Sequence, residues 1–147
     1  MEALSLPVNI CTGEAGVLLA SAEMLKNDIM PCRPAVDAGY DLVASAKGKF
    51  FRVQVKATQA KDASKSAVSY RFNVCRRKSG AFRDGYYREV EALQYTEGEV
   101  DFFVFVHMPS SSLFVVPSSV IADYKHHISL RPDCEYRDAW HLINDRV

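Results

Sequence analysis

Residues 40–58 read Tyr40-Asp-Leu-Val-Ala-Ser-Ala46, then Lys47-Gly48-Lys49, then Phe50-Phe-Arg-Val-Gln-Val-Lys-Ala-Thr58. Side chains alternate between the two faces of a strand, so this stretch splits into two strands with opposite faces of opposite character. Leu42, Ala44, Ala46, Phe51, Val53 and Val55 share one face, which reads as core. Asp41, Ser45, Arg52, Gln54 and Lys56 share the other, interrupted only by Val43 and Phe50. A two-residue turn at Lys47-Gly48 pairs Ala46 with Lys49. Counting back one pair at a time from there sets Asp41 directly opposite Gln54, with Lys56 on the same face two residues on. A turn longer by one residue shifts this register, so the convergence of acid, amide and amine is an expectation about one turn.

Working outward, a helix is predicted from Gly13 to Asn27 with Thr12 as its N-cap. Leu18, Ala22 and Leu25 form its expected buried stripe, and Glu14 falls on that stripe four residues before Leu18. Glu14 there either complements the positive N-terminal end of the helix dipole or points into a site. Pro31 and Pro34 break the chain after the helix. Val68–Val74 alternates as a strand, with Val68, Tyr70, Phe72 and Val74 on one side. Arg76–Gly85 reads as an exposed basic loop and Tyr86–Leu93 as a short helix. Asp101–Met108 and Leu113–Val116 are apolar enough for central strands and are joined through Pro109-Ser110-Ser111-Ser112. A helical turn follows Pro117, and Tyr136–Ile143 forms a short terminal helix docked through Trp140. This order predicts an α/β protein, one domain over 1–147, with a central mixed β-sheet flanked by helices.

The composition narrows the chemistry. With 147 residues, 48% of them hydrophobic, the chain has material for a real core. No apolar run is long enough to span a membrane, and the first ten residues lack the marks of a signal peptide. Cys11, Cys32, Cys75 and Cys134 are far apart and form no CxxC or Cys/His pair, which argues against structural zinc and for buried free thiols in a reduced cytoplasmic protein. His107, His126, His127 and His141 have no ligand-like spacing with acids or cysteines. There is no GxSxG context around Ser110–Ser112 and no Gly-rich phosphate loop.

The overall charge of zero conceals an asymmetry. Residues 47–88 carry twelve Lys and Arg against Asp62 and Asp84, a net of +10, and the remainder carries −10. A basic segment within a neutral protein is the footprint of a phosphate-binding face, or a solvated face paired with the acidic remainder. Lys61, Lys65, Arg71, Arg76, Arg77, Lys78, Arg83 and Arg88 are the expected nucleic-acid contacts.

Phosphodiester hydrolysis needs a divalent cation held by oxygens, an activated water and positive charge against the transition state. Magnesium is satisfied by one or two carboxylates with neutral oxygens and water. Asp41 is the principal metal-ligand candidate, with Gln54 and the main-chain carbonyl of Val55 as neutral oxygen donors. Lys56 can orient the attacking water or stabilise developing charge, and Glu14 can reach the metal directly or through water. Asp37 is a secondary contact or a turn former. The bland alternative for Asp41, Gln54 and Lys56 is a polar, solvent-facing hairpin surface.

Asp37-Ala-Gly-Tyr-Asp41-Leu followed by Arg52-Val-Gln54-Val-Lys56-Ala-Thr58 resembles the core motif of the PD-(D/E)XK nuclease superfamily, and more narrowly its small homing-endonuclease-like branch. Gly13-Glu14, Asp101-Phe-Phe, Val115-Val-Pro117 and the Trp140-containing segment are similar to further features of that branch. The resemblance implies a restriction-endonuclease-like core and a Mg2+- or Mn2+-dependent endonuclease acting on DNA. Cutting both strands needs two active sites or sequential action, so a homodimer or higher homo-oligomer is expected. It assigns the metal-binding aspartate to Asp41 and the motif lysine to Lys56. Gln54 stands where most of the superfamily has Asp or Glu, and Tyr40 where it often has proline. The missing charge at Gln54 keeps a second reading open, a nuclease-fold protein of weakened activity serving as a nucleic-acid-binding or assembly module.

Overall fold

The computed structural model describes residues 5–60, 68–77, 82–83, 86–87, 92–96 and 98–146, with the backbone alone for residues 77, 82, 83, 86, 87 and 92. Helix α1 (Val8–Lys26) begins earlier than the predicted Thr12 cap. Pro7, in an extended conformation, precedes it, and the Pro7 carbonyl accepts from the N–H groups of Ile10 and Cys11 at 3.1 Å. Proline has no N–H to leave unsatisfied at this end and its φ is already fixed, so it opens the helix without a side-chain cap.

Strands β1 (Met30–Cys32), β2 (Leu42–Ala46) and β3 (Lys49–Thr58) follow. The pairs Ala46↔Lys49, Ser45↔Phe50 and Leu42↔Val53 are those a two-residue turn demands. Lys47 and Gly48 both adopt positive φ, 48° and 78°, as a type I′ turn requires. β1 is an edge strand that sequence reading left as a break. Pro31 is tolerated there because an edge strand has one unpaired side.

After β4 (Tyr70–Asn73) come four short strands, β5 (Arg76–Arg77), β6 (Phe82–Arg83), β7 (Tyr86–Tyr87) and β8 (Ala92–Leu93). β5 pairs antiparallel with β8, and β6 with β7. The Arg76↔Leu93, Phe82↔Tyr87 and Arg83↔Tyr86 pairs have the same register sum. The segment predicted as an exposed loop and a helix forms ladders at these positions, and residues 78–81, 84–85 and 88–91 of it lie outside the described residues. Its run of β-favouring aromatics outweighed the weak helical spacing of Tyr86–Leu93. β9 (Phe102–His107) and β10 (Ser112–Pro117) form the predicted apolar hairpin. Helix α2 (Ser118–Ile121), β11 (His127–Leu130) and helix α3 (His141–Asn144) complete the described elements. The C-terminal helix is shorter than the predicted Tyr136–Ile143, because residues 136–138 instead bond along β10, with Val115 N–H to the Tyr136 carbonyl and Asp138 N–H to that of Leu113.

The main sheet has the order β1-β2-β3-β9-β10, with β3 and β9 parallel and the other pairs antiparallel. One face buries Leu42, Ala44, Val53, Val55, Val104 and Val115 under Val17, Ala20 and Met24 of α1 and under Trp140 and Ile143. The other buries Phe103, Phe105, Phe114 and Val116 under Phe72 of β4 and Ile128 of β11. Both core clusters leave out the polar face of β2 and β3. Tyr70, Phe72 and Val74 point inward as predicted, whereas Val68 is exposed. Cys75 is buried and Cys134 half-buried, but Cys11 and Cys32 are exposed, contrary to the expectation of buried thiols. Among the described residues no helix is long and apolar enough to cross a membrane.

The helix contacts the sheet through a different stripe from the one predicted. Gly16, Val17, Ala20 and Met24 are buried, while Leu18 and Leu25 stand in solvent. A Cβ on Gly16 would lie 2.7 Å from the Cβ of Ala57, whereas one on Gly13 would meet nothing within 4 Å. Gly→Ala normally favours a helix by about 0.5–1 kcal/mol. Gly13→Ala is therefore expected to be neutral or stabilising. Gly16→Ala should lose about 1–3 kcal/mol because neither backbone can retreat without opening the core. Urea unfolding of the two variants checks this, and equal effects would contradict the packing described.

Candidate active site

Asp41 lies just before β2, where the β2–β3 ladder runs out. Its N–H still bonds the Val53 carbonyl at 3.0 Å, which fixes the backbone opposite Gln54. Its carboxylate takes over where β2 no longer reaches. Oδ2 accepts from the Val55 N–H at 2.9 Å and from the Gln54 side-chain Nε2 at 2.6 Å. The same Gln54 Nε2 is 3.4 Å from the Val55 carbonyl oxygen. Two oxygen acceptors thus converge on a single donated N–H group, the arrangement expected where a small cation can replace that donor. Rotating the amide by half a turn brings in Oε1 as a third oxygen.

Lys56 reaches the same region by alternation along β3. Its Nζ donates to the Cys75 carbonyl at 2.9 Å and sits 5.2 Å from the centre of the Tyr95 ring. The Arg76 guanidinium lies 4.7 Å from that ring on its own account, bonds the Gly39 carbonyl at 3.3 Å and pairs with Glu99 at 3.3 Å. Gly39 has φ +82°, so its conformation favours glycine, and a Cβ there would sit 3.2 Å from the flexible end of Arg76, which would have to shift by a few tenths of an ångström. Asp37 Oδ1 accepts from the Gly39 N–H at 3.0 Å, which places Asp37 in the turn.

The electrostatics follow from this packing. Burial is the largest influence on Asp41 and raises its carboxyl above the ordinary range, against the Val55 N–H and the charges of Lys56 and Arg33, which lower it. Burial likewise pushes the Tyr95 phenol up to about 12, so it stays neutral and offers Lys56 and Arg76 an undiminished ring face. Asp101 is the opposite case. Burial pushes it up, but side-chain and backbone hydrogen bonds from Arg52 outweigh this and hold it below the usual carboxylate range. Asp101 Oδ2 accepts from Arg52 N–H at 2.7 Å and Nε at 3.1 Å, tying the start of β9 to β3.

Asp41, Gln54, Val55 and Lys56 are brought together. Glu14 joins them only through Arg33: it is exposed, ion-paired with the Arg33 guanidinium, and on the solvent side of α1 rather than a buried stripe. Of the expected nucleic-acid contacts, Arg71 is exposed against His127 and Arg76 is half-buried against Tyr95. Arg77 and Arg83 are described by backbone only, on β5 and β6. Lys61, Lys65, Lys78 and Arg88 lie outside the described residues. Tyr95, Arg33 and the Cys75 carbonyl were not picked out from sequence. A lone tyrosine forty residues from the hairpin carries no periodic signal, and a carbonyl carries none at all. Among the described residues there is no cluster of three or more His, Cys, Asp and Glu.

A carboxyl raised by folding binds protons that the unfolded chain has lost, so stability falls as pH rises through its titration. Asp41→Asn removes that penalty. In the presence of a chelator the variant is expected to melt higher than wild type at pH 7, with the difference closing below the ordinary aspartate range. Thermal melts across pH check it, and a gap that widens in acid would contradict the assignment.

The profile of the PD-(D/E)XK endonuclease family matches residues 10–143. The fold superposes on the structure of a bacterial homing endonuclease, I-Ssp6803I, with a TM-score of 0.76 and 25% sequence identity over 95% of each chain. Among curated proteins none matches significantly. With the family profile spanning nearly the whole chain, helix, hairpin and apolar strands included, the protein belongs to the PD-(D/E)XK endonuclease family.

Proposed function

We propose that the chain is a divalent-metal-dependent endonuclease that hydrolyses DNA phosphodiester bonds, working as one domain over residues 1–147 around Asp41, Gln54, Val55 and Lys56. The observation that carries this reading is the convergence of Asp41 Oδ2 and the Val55 carbonyl on the Gln54 amide beside a lysine held by Cys75 and Tyr95. PD-(D/E)XK nucleases generally use divalent metals. The donors fit a hard cation such as Mg2+ or Mn2+: one carboxylate, one amide oxygen after rotation and one carbonyl, with no thiol or imidazole. When bound, the ion supplies Lewis-acid polarisation of the phosphate and a more acidic water.

The protein's own groups do the rest. Asp41 supplies the anionic charge of the site, and its Val55 N–H bond fixes which way the carboxylate faces. Gln54 contributes orientation without charge. Lys56, held by the Cys75 carbonyl and the Tyr95 ring face, acts as a positive charge against the phosphorane-like transition state and orients the attacking water. Arg76, pinned by Gly39, Glu99 and Tyr95, adds charge beside it. Arg77 and Arg83, on strands that pair as antiparallel ribbons, suit phosphate contact, since such a ribbon fits the major groove. Lys61, Lys65, Arg71, Lys78 and Arg88 complete the basic segment in this reading. Exposed free thiols at Cys11 and Cys32 suit a reducing, cytoplasmic setting. Cutting both strands calls for two centres, hence a homodimer or higher homo-oligomer.

Neutral Gln54 beside an Asp41 that burial already disfavours as an anion supports a second reading, a weakened nuclease that binds DNA or assembles with it. Plasmid incubated with Mg2+ or Mn2+ separates them. Cleavage is expected, with Asp41→Ala and Lys56→Ala each slower by about a hundredfold or more, as for removal of a transition-state donor. DNA bound without any cleavage would leave only the weaker reading. Tyr95→Leu is expected to slow cleavage about fivefold with little change in DNA affinity, consistent with a cation–π contact of about 1 kcal/mol. In a separate thermal-shift assay Mg2+ or Mn2+ should raise the melting temperature of wild type but not of Asp41→Asn. Gln54→Glu should enlarge the shift, and an unresponsive wild type would count against the metal site.

A further inference from the structure

Helix α1 is apolar on two opposite sides. Its inner side, Gly16, Val17, Ala20 and Met24, is buried against the sheet. On the outer side Val8, Cys11, Ala15, Leu18, Ala22 and Leu25 recur at alternating intervals of three and four residues. All are exposed except Ala15, which is half-buried, with Val8, Leu18 and Leu25 at 75%, 60% and 56%. No charge interrupts the row. Glu14 and Lys26 flank it, already engaged with Arg33 and Glu23.

A second apolar stripe opposite the buried one is an exposed patch that calls for a cover. Another helix with the same 3.5-residue repeat matches such a row. α1 itself has that repeat. Two copies set antiparallel about a twofold axis bring Val8 opposite Leu25, Cys11 opposite Ala22 and Ala15 opposite Leu18, so each leucine meets a smaller side chain. In the same register Glu14 comes level with Leu19 of the second copy and Lys26 with its Pro7, with no like charges opposed. A biological interface has to clear roughly 1,000 Å² in total, and the seam contributes six side chains per copy along the length of α1. Leu19, half-buried beside the row, packs against the core and is not part of the seam.

We propose that the outer face of α1 is the interface with a second copy of this chain, forming an isologous dimer through a two-helix seam. The proposal rests on the endonuclease reading for its purpose, a second centre for the second strand, but its geometry is independent of cleavage.

Sedimentation velocity across a wide concentration range tests it. Wild type is expected at twice the chain mass of 16.5 kDa, or a larger even multiple. Leu18→Glu combined with Leu25→Glu should halve that mass, leave the far-ultraviolet dichroism unchanged, and convert double-strand cutting into nicking. Should the double variant lose helix signal, Ala22→Lys poses the same question with a smaller change at the same seam. A wild type monomeric throughout, or folded variants that keep its mass, overturns the proposal. A halved mass in a protein that never cuts DNA leaves the interface standing and removes the nuclease reading instead.

Discussion

The site depends on a turn that contributes no group to it. Lys47 and Gly48, both in the left-handed region, close the β2–β3 hairpin with two residues, and every pair back along the ladder is fixed by that choice. Five pairs from the turn the ladder stops. There Asp41 replaces the missing backbone acceptor with its carboxylate, taking the Val55 N–H. A register slip by one residue would turn Gln54 and Lys56 into the core and bring Val53 and Val55 out among the charges. The apolar face beneath, Leu42, Ala44, Val53 and Val55, is buried almost completely, so the slip is opposed by the whole contact with α1. The core thus sets the accuracy of the site.

This explains why the central hairpin was legible from sequence and much of its surroundings was not. Period-two alternation and a Lys-Gly turn are local signals, and together they determine where Asp41 sits relative to Gln54. Lys56 is partly legible: its face follows from alternation, but its partners do not. The Cys75 carbonyl and the Tyr95 ring arrive from segments nineteen and thirty-nine residues further on, placed by tertiary packing. β1 and β11 were invisible for a related reason. A three-residue edge strand containing Pro31 and a four-residue strand in a His-rich stretch are too short to show a period. At Arg76–Arg77, Phe82–Arg83, Tyr86–Tyr87 and Ala92–Leu93 the reading failed differently, because aromatic and basic residues fit a ribbon as readily as a loop or a helical turn.

The same geometry sets a tension at the site. The carboxylate of Asp41 is partly withdrawn from water, which favours its neutral form. Lys56, Arg33 and the Val55 N–H only partly compensate. Gln54 relieves the tension that a second carboxylate would deepen, since two anions side by side in a half-buried pocket repel each other until a cation arrives. The neutral amide donates to Asp41 in the meantime. Stability without metal and affinity for metal are therefore opposed in this hairpin, and glutamine sits on the side of stability.

Helix α1 shows how a correct period can be assigned to the wrong face. Leu18, Ala22 and Leu25 form a genuine apolar stripe, and a stripe is expected to face the core. The sheet selects the other one because of distance, not hydrophobicity. Gly16 lets the helix backbone come down onto Ala57, and Ala20 beside it adds little bulk, so around these two residues the close approach leaves no room for a leucine, while Val17 and Met24 fill the rest of the face. Leu18 and Leu25 are left outside. Small residues where the helix comes closest and leucines outward suit a helix that lies close on a sheet and has a second surface to cover. That division of sizes gives the outer stripe a cause, and a residue such as Leu18 its place, without any contact in the chain's own core.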